Sequence, residues 1–318
     1  MDVGSAGAGT FDTFKRIIDS SKVRTFALLN ISFTGMNPYG ENDPGQFKIY
    51  PMLAQAKKYP DIIVGFKTAH YCTNGPYDDI HTPWASVDAL LEAGRAAELP
   101  VMIDMIPRPE LGKYPSRSRK ELILEKLRPG DIDTHCFKPH YVMLDENGKL
   151  REELFKAQER GIIFDVGHGG GSFVWRNAIP AIEQGFLPNS ISTDLHSANT
   201  NGKVMNMANV MSKILSIGVS IEDVIRLSTI NPAREINHPE LGNLSVGAAA
   251  DIAVFELLKG SYSFTDVRGG KNYGSEKIHN IMTLKDGEIV SDPYAVASLY
   301  WKDIKDKNYW VNAYGQYW

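Results

Sequence analysis

Short apolar runs alternate with amphipathic helical segments along the chain, and this alternation limits the possible folds more than any other sequence feature. Seven runs are predicted as strands: one at the extreme N-terminus and six that end at Asn30, Lys67, Asp104, His135, Asp165 and Asp194. Continuous apolar strands separated by helices are typical of a parallel sheet that is covered on both faces. The sequence therefore predicts an α/β fold for the part of the chain before residue 200.

Beyond residue 200 the alternation stops, and the sequence predicts two helices followed by a small β unit. One helix is predicted over Val204–Ile217, and Ser220 is predicted to cap the second. A pair of short strands is predicted within residues 241–257, followed by a hairpin with its turn at Asp286–Gly287. We therefore divide the chain into a main α/β part, a small β part and a tail predicted as a surface helix: residues 1–235, 236–293 and 294–318.

Composition limits the kind of partner that the chain can bind. The net charge is −4 and Lys and Arg are scattered, which argues against nucleic acid and against anionic membrane surfaces. No apolar run approaches the ~18 residues that a membrane helix needs. Cys72 and Cys136 are predicted to be free thiols, because a single pair does not make a disulfide scaffold. We expect a small-molecule ligand and, by default, a cytoplasmic location; a homo-oligomer and an export signal ahead of Met1 stay open.

Polar side chains follow the last two predicted strands of the α/β part. Asp165 and His168 end the segment GIIFDVGH, and Asp194 and His196 end the segment ISTDLH. In parallel α/β proteins, the loops at the carboxyl ends of the strands build the active site. We therefore expect the chemistry of the protein at this edge of the sheet.

Several motifs resemble a known family. The run STINPAREINHPELGNLSVGAAADIAVFEL resembles the C-terminal signature of the amidohydrolase superfamily. Upstream, VGFK, THCF, DVGHG and STDLH resemble, in this order, the deacetylase branch related to dihydroorotases and D-aminoacylases. The resemblance implies a TIM-type (β/α)8 barrel with a metal centre at the carboxyl ends of its strands, followed by a small β-sandwich.

The same resemblance implies that the chain begins inside the barrel. The segment MDVGSAGAGT matches the end of the second barrel strand, and the His-x-His pair of the family's first strand is absent from the sequence. We therefore expect a barrel that lacks its first strand or strands, a remnant of the β-sandwich in residues 236–293, and a Met1 that is an internal methionine of a longer protein.

The resemblance assigns metal ligands to four residues. Lys67 matches the lysine that is carboxylated to a carbamate and bridges two divalent ions, and His135 matches a histidine ligand. Asp104 stands where the branch carries a histidine, so it is either a substitute ligand or a lost one. Asp194 matches the acid that binds metal and shuttles a proton. From the residues alone, a strand-ending lysine, a core histidine and an N-capping aspartate stay open.

Substrate contacts are predicted from the remaining polar positions. By resemblance, His168 and Gly169 lie in a glycine-rich loop that approaches the substrate, and His196 orients it or stabilises a developing oxyanion. Asn30, which ends a predicted strand, is also expected to contact the substrate. Specificity is expected to depend on two loops, Tyr71–Thr82 and Arg108–Ser118.

The function that follows is hydrolysis of an amide or ester bond in a small acylated compound, such as an N-acyl amino acid. One or two zinc ions are expected to activate a water, and Asp194 to move its proton to the leaving group. Two alternatives stay open. One is a non-catalytic dihydroorotase-like barrel that serves as a binding or assembly protein, favoured by Asp104 and by the absent histidine pair. The other is a metal-free lyase that uses Lys67 as a Schiff base.

Overall fold

A computed structural model describes residues 1–71, 77–107, 119–200, 202–306 and 309. Its larger sheet contains six strands, each parallel to its neighbours, in the order β1 to β6. The strands are β1 Asp2–Gly7, β2 Ala27–Asn30, β3 Ile63–Ala69, β4 Val101–Asp104, β5 Ile132–Asp133 and β6 Ile163–Phe164. The predicted α/β fold with a parallel sheet is confirmed, and the N-terminal strand is present.

A helix follows each of these strands, as the predicted alternation requires. They are α1 Phe11–Ser20, α2 Ile49–Lys58, α3 Ala85–Ala97, α4 Lys120–Lys126, α5 Glu152–Glu159 and α6 Trp175–Glu183. Because the spatial order of the strands follows the chain order and parallel crossovers are right-handed, the helices lie on one face of the sheet. Three further helices follow: α7 Met207–Leu215, α8 Ile221–Arg226 and α9 Ile230–Glu235.

Both faces of the parallel sheet are buried, but by different partners. Leu29 and Phe66 point towards the helices and belong to the main hydrophobic core. Leu28 and Met102 point to the opposite face, where they pack in a separate cluster with Ile236. The second face is therefore covered by side chains of the sheet itself and of the turn that ends α9, as expected for a sheet that curves around its own interior.

The prediction of a full strand that ends at Asp194 is wrong. Ser190 forms one isolated parallel bridge with Asp165, and the backbone N–H of Gly169 donates to Thr193 at 2.9 Å. On its other side, the N–H of Ile191 donates to the carbonyl of Leu227 at 2.9 Å instead of to a neighbouring strand. The segment is therefore joined to residues 165–169 by one bridge and single hydrogen bonds, and not by the regular ladder of a strand.

Three predicted strand ends also shift. β3 continues two residues past Lys67, to Ala69, whereas β5 ends at Asp133, two residues before His135. β6 ends at Phe164, one residue before Asp165. His135 has a left-handed backbone with φ 61°, which is incompatible with a continuing strand.

The chain after residue 250 forms a three-stranded antiparallel sheet of β7 Ile252–Thr265, β8 Lys271–Lys285 and β9 Glu288–Ser291. The predicted hairpin is confirmed, with φ 51° at Asp286 and φ 82° at Gly287 in its turn. The predicted pair of short strands within 241–257 is wrong, since one long strand begins only at Ile252. Gly242 and Gly247 have φ 67° and 90°, and these values interrupt an extended chain before that point.

The remaining predictions on the fold concern the tail, the thiols and the membrane. In the described part of the tail, residues 294–306 and 309, the regular structure is a 3₁₀ turn at Trp301–Asp303 and not the predicted helix. Cys136 is a free, buried thiol, and Cys72 lies outside the described residues. Among the described helices, none is long and apolar enough to cross a membrane. The three-part division of the chain stays a prediction.

Candidate active site

Lys67 lies on the inner face of β3, in register between Asn30 of β2 and Met102 of β4. Only 4% of the residue is exposed. Space for its side chain depends on Gly4, because a Cβ at this glycine would lie 2.9 Å from Cγ of Lys67. Burial lowers the pKa of the Lys67 amine, against the opposing effect of nearby carboxylates, of which Asp104 has the largest. A buried amine of lowered pKa is more reactive than a surface lysine.

Asp104 ends β4 and forms an ion pair that the sequence did not predict. Its Oδ1 accepts a hydrogen bond from Nζ of Lys138 at 2.6 Å, and Lys138 also donates to the carbonyl of Met105 at 3.0 Å. Burial alone would raise the pKa of Asp104, but its cationic neighbours, first among them Lys138, lower it well below its usual range. Asp104 is therefore ionised. The sequence could have pointed to Lys138 as the partner of Asp104, because Lys138 follows the predicted ligand His135 by three residues.

His135 is held in one orientation beside Asp104. Its Nδ1 donates to the carbonyl of Gly167 at 2.6 Å, which leaves Nε2 as an acceptor in the neutral ring. Nε2 lies 3.4 Å from Oδ2 of Asp104, also an acceptor. Two acceptors at this distance repel unless a proton or a cation lies with them.

The donor set tests whether this site fits a metal ion. Two tetrahedral zinc ligands with bonds of ~2.0–2.2 Å are separated by about 3.3 Å, which agrees with the distance between His135 and Asp104. Within the described ranges, no three His, Cys, Asp or Glu side chains gather as a metal site. Lys67 interacts electrostatically with Asp104, and as a carbamate it would supply further oxygen donors to this pair. With Lys67 included, the residues fit a divalent ion.

Asp194 lies in the loop that follows residues 190–193. This loop and the carboxyl ends of β3 to β5 form two sides of one edge of the sheet, which we call the rim. Asp194 is exposed, and its backbone is left-handed with φ 45°. Strained conformations of this kind cluster at functional sites. Gly169 packs against it so closely that a Cβ there would lie 2.3 Å from Oδ2 of Asp194. Asn199, which the sequence did not single out, donates to the Asp194 carbonyl at 2.9 Å and accepts from the backbone N–H of His196 at 2.8 Å.

Of the predicted substrate contacts, His196 is exposed and His168 is completely buried. The ring of His168 stacks on Phe173, with centroids 4.7 Å apart and an angle of 13°. Its Nδ1 donates to the carbonyl of Gly169 at 2.9 Å, and its Nε2 accepts from Nζ of Lys213 at 2.8 Å. Both ring nitrogens are thus used inside the protein.

A second polar group lies at the ends of β2 and β3. The buried carboxylate of Glu41 accepts from Asn30 at 3.1 Å and from Nδ1 of His70 at 3.0 Å. Asn30 is completely buried and also donates to the carbonyl of Gly4 at 3.1 Å. The hydrogen bond to Glu41 raises the pKa of His70. The sequence could have identified His70 as a site residue, because it follows the strand that contains Lys67. No sequence pattern marks Glu41.

Asp165 closes the interior below the rim. Its carboxylate accepts from Thr134 and Ser192, each at 2.7 Å, and from Ser190 at 3.2 Å. Through these three hydroxyl groups, Asp165 connects the residues that follow β5 and β6 to the segment at residue 190. Its contacts are structural.

The structure thus brings Lys67, Asp104 and His135 together, and the charge of Asp194 reaches Lys67. His168 is held away from solvent, and Asn30 is committed to internal partners. The predicted specificity loop 108–118 lies outside the described residues, as do residues 72–76 of the other loop. The roles assigned to these residues stay predictions.

Sequence and structure comparisons relate this geometry to known proteins. The sequence profile of the Amidohydrolase family matches residues 172–292. A deacetylase of Brucella anthropi is 35% identical over an alignment of 288 residues that covers 85% of this chain. The chain spans 65% of the length of that relative.

Two solved structures have the same fold. An adenine deaminase superposes with a TM-score of 0.80 at 26% identity, covering 91% of this chain and 77% of its own. A dihydroorotase superposes with a TM-score of 0.76 at 29% identity, covering 92% of this chain and 75% of its own.

Proposed function

The chain belongs to the amidohydrolase superfamily, and we propose that it hydrolyses an amide or ester bond in a small acylated compound. The name of the deacetylase relative supports acyl-group removal. The observation that carries the proposal is the buried Lys67 beside the facing pair of His135 and Asp104. An N-acyl amino acid or a related acyl ester is the proposed substrate class.

The site is proposed to hold one or two divalent ions. Lys67 as a carbamate, Nε2 of His135, Oδ2 of Asp104 and the carboxylate of Asp194 are the proposed ligands. A zinc ion held there would polarise the scissile carbonyl and lower the pKa of a bound water. We further propose that the parallel sheet is part of a (β/α)8 barrel and that the antiparallel sheet belongs to a small β-sandwich.

The chain's own residues have separate tasks in this proposal. Asp194 is exposed at the rim, so it is accessible to accept the proton of the attacking water and to return it to the leaving amine or alcohol. Lys138 keeps Asp104 ionised. Gly167 keeps the ring of His135 in the tautomer whose Nε2 is an acceptor.

A substrate screen with a matched variant pair tests the proposal. Zinc-supplemented protein is assayed on N-acetyl amino acids and on the corresponding acetate esters. Asp194→Asn is expected to lower kcat about 10²–10⁴-fold, the usual contribution of general acid–base catalysis, without loss of stability. Asp61→Asn, at an exposed aspartate on the opposite end of β3, is the control and should leave kcat unchanged. Turnover that survives Asp194→Asn would refute the assigned role.

A further inference from the structure

Lys213 is a buried lysine to which the proposed chemistry gives no task. It lies on α7 and is only 1% exposed. Its Nζ contacts Nε2 of His168 at 2.8 Å, the carbonyl of Lys203 at 2.6 Å and the carbonyl of Thr265 at 2.8 Å. An ammonium has three hydrogens, so these three acceptors use all of them. The side chain is fixed at both ends, by α7 and by this set of acceptors.

The contact with Lys213 determines the state of the His168 ring. Because Nε2 accepts from the ammonium, the ring proton must lie on Nδ1, which donates to the carbonyl of Gly169. Burial, and then the charge of Lys213, lowers the pKa of His168 to about 4. The ring is therefore neutral and has one tautomer at neutral pH. Stacking on Phe173 fixes its plane.

The turn Gly167–Gly169 connects this ring to both sides of the site. On one side, the carbonyl of Gly167 accepts from Nδ1 of His135 at 2.6 Å. On the other, the N–H of Gly169 donates to the carbonyl of Thr193 at 2.9 Å, directly before Asp194. Left-handed φ values of 46° and 51° at the two glycines make the turn sensitive to the position of its central residue, His168.

We propose that Lys213 is a positioning residue that acts through His168 to hold the Gly167–Gly169 turn, and with it His135 and Asp194. This inference rests on the proposed hydrolase function for its effect on rate. The contact with Thr265 also joins the turn to β7, so the antiparallel sheet supports the site through the same ammonium.

The experiment compares Lys213→Met with Lys203→Met. Methionine in place of Lys213 nearly keeps the length of the side chain but removes the ammonium, whereas position 203 contributes only its backbone carbonyl to the contact. We expect kcat to fall about 10²-fold in the first variant, as for a displacement of about 1 Å, with KM changed little. The control should retain kcat. Lys213→Gln, which keeps an N–H donor, should recover part of the loss.

Nitrogen-15 NMR of the histidine rings gives a readout that needs no substrate. In the unchanged protein, His168 should show the Nδ1–H tautomer, and in Lys213→Met both the His168 and the His135 ring signals should move. Unmoved His135 signals in a folded Lys213→Met or Lys213→Gln variant would overturn the inference. If the unchanged protein also lacks turnover but the His135 signals move in the variants, the hydrolase proposal fails and the link between Lys213 and the turn stands.

Discussion

The two sides of the rim hold their reactive groups by different means. On the charged side, at the ends of β3 to β5, side chains hold side chains: Lys138 pairs with Asp104, and Asp104 faces His135. On the loop side, residues 165–199, contacts to backbone carbonyls and glycine conformations hold Asp194. Geometry on the charged side should therefore depend on ionisation, and geometry on the loop side on the allowed φ values.

Lys138→Met is the strongest test of the charged side. It leaves the Asp104 carboxylate, whose side chain is 12% exposed, without its ammonium partner. An unpaired buried charge of this kind costs about 3–5 kcal/mol, so the free energy of unfolding in urea should fall by that amount. Lys126→Met removes an exposed pair with Asp88 and should cost only about 0–1 kcal/mol. Equal losses in the two variants would mean that ion pairing does not hold this side.

Gly169→Ala is the corresponding test of the loop side. The new Cβ would meet Oδ2 of Asp194 at 2.3 Å, and the φ of 51° is strained for alanine. Asp194 should be displaced, and kcat should fall about 10²-fold. Gly171→Ala is the matched control, because a Cβ there meets no atom within 4 Å. If kinetics under saturating substrate give the two variants the same kcat, backbone conformation does not hold Asp194.

Glu235 allows a smaller test, because it is a half-buried carboxyl group near the loop side and pairs with no cation among the described residues. Burial, followed by the charge of Asp165, raises its pKa to about 8, and within the described part of the chain its Oε1 has no hydrogen-bond partner. The folded state therefore binds the proton more tightly than the unfolded chain, whose carboxyl group has a pKa of about 4.3. The contribution of this proton to stability is complete below that pH and is lost as pH rises through about 8.

Glu235→Gln should remove this pH dependence. The variant should gain Tm relative to the unchanged protein, by a few degrees, as the pH is raised from 5 to 8.5. Glu92→Gln, at an exposed helix position, should show no such trend. Parallel Tm curves for the Glu235→Gln variant and the unchanged protein would show that Glu235 is ionised throughout this pH range. Glu235 would then not differ from Asp104, which its cationic neighbours keep ionised.

Sequence reasoning predicted the parts of the fold that depend on burial. All seven residues of β3 are buried, and so the apolar run that predicts the strand is complete. In the segment at residues 190–193, the N–H of Ile191 donates to the carbonyl of Leu227, a long-range partner that local sequence does not reveal. Only the first part of β7, up to Leu257, was predicted as strand, because the continuation to Thr265 passes through Lys259, Gly260 and Ser261 and has no apolar run.

The candidate site divides in the same way. Lys67, Asp104 and His135 were predicted from the family resemblance, and each also ends or follows an apolar run, the ends of which a parallel sheet brings together. Lys213 was not predicted, since it meets His168 across 45 residues of sequence and lies on a helix with no distinguishing motif. Long-range partners of this kind are set by packing and not by local pattern.

The burial of Cys136 has a practical consequence for measuring stability. This residue lies between His135 and Phe137, is 2% exposed, and burial raises the pKa of its thiol well above the ordinary value. Alkylation requires an accessible thiolate, so the folded protein protects this sulfur. The rate at which this thiol is labelled under native conditions therefore reports how often the sheet opens next to the proposed site. The measurement needs no introduced cysteine.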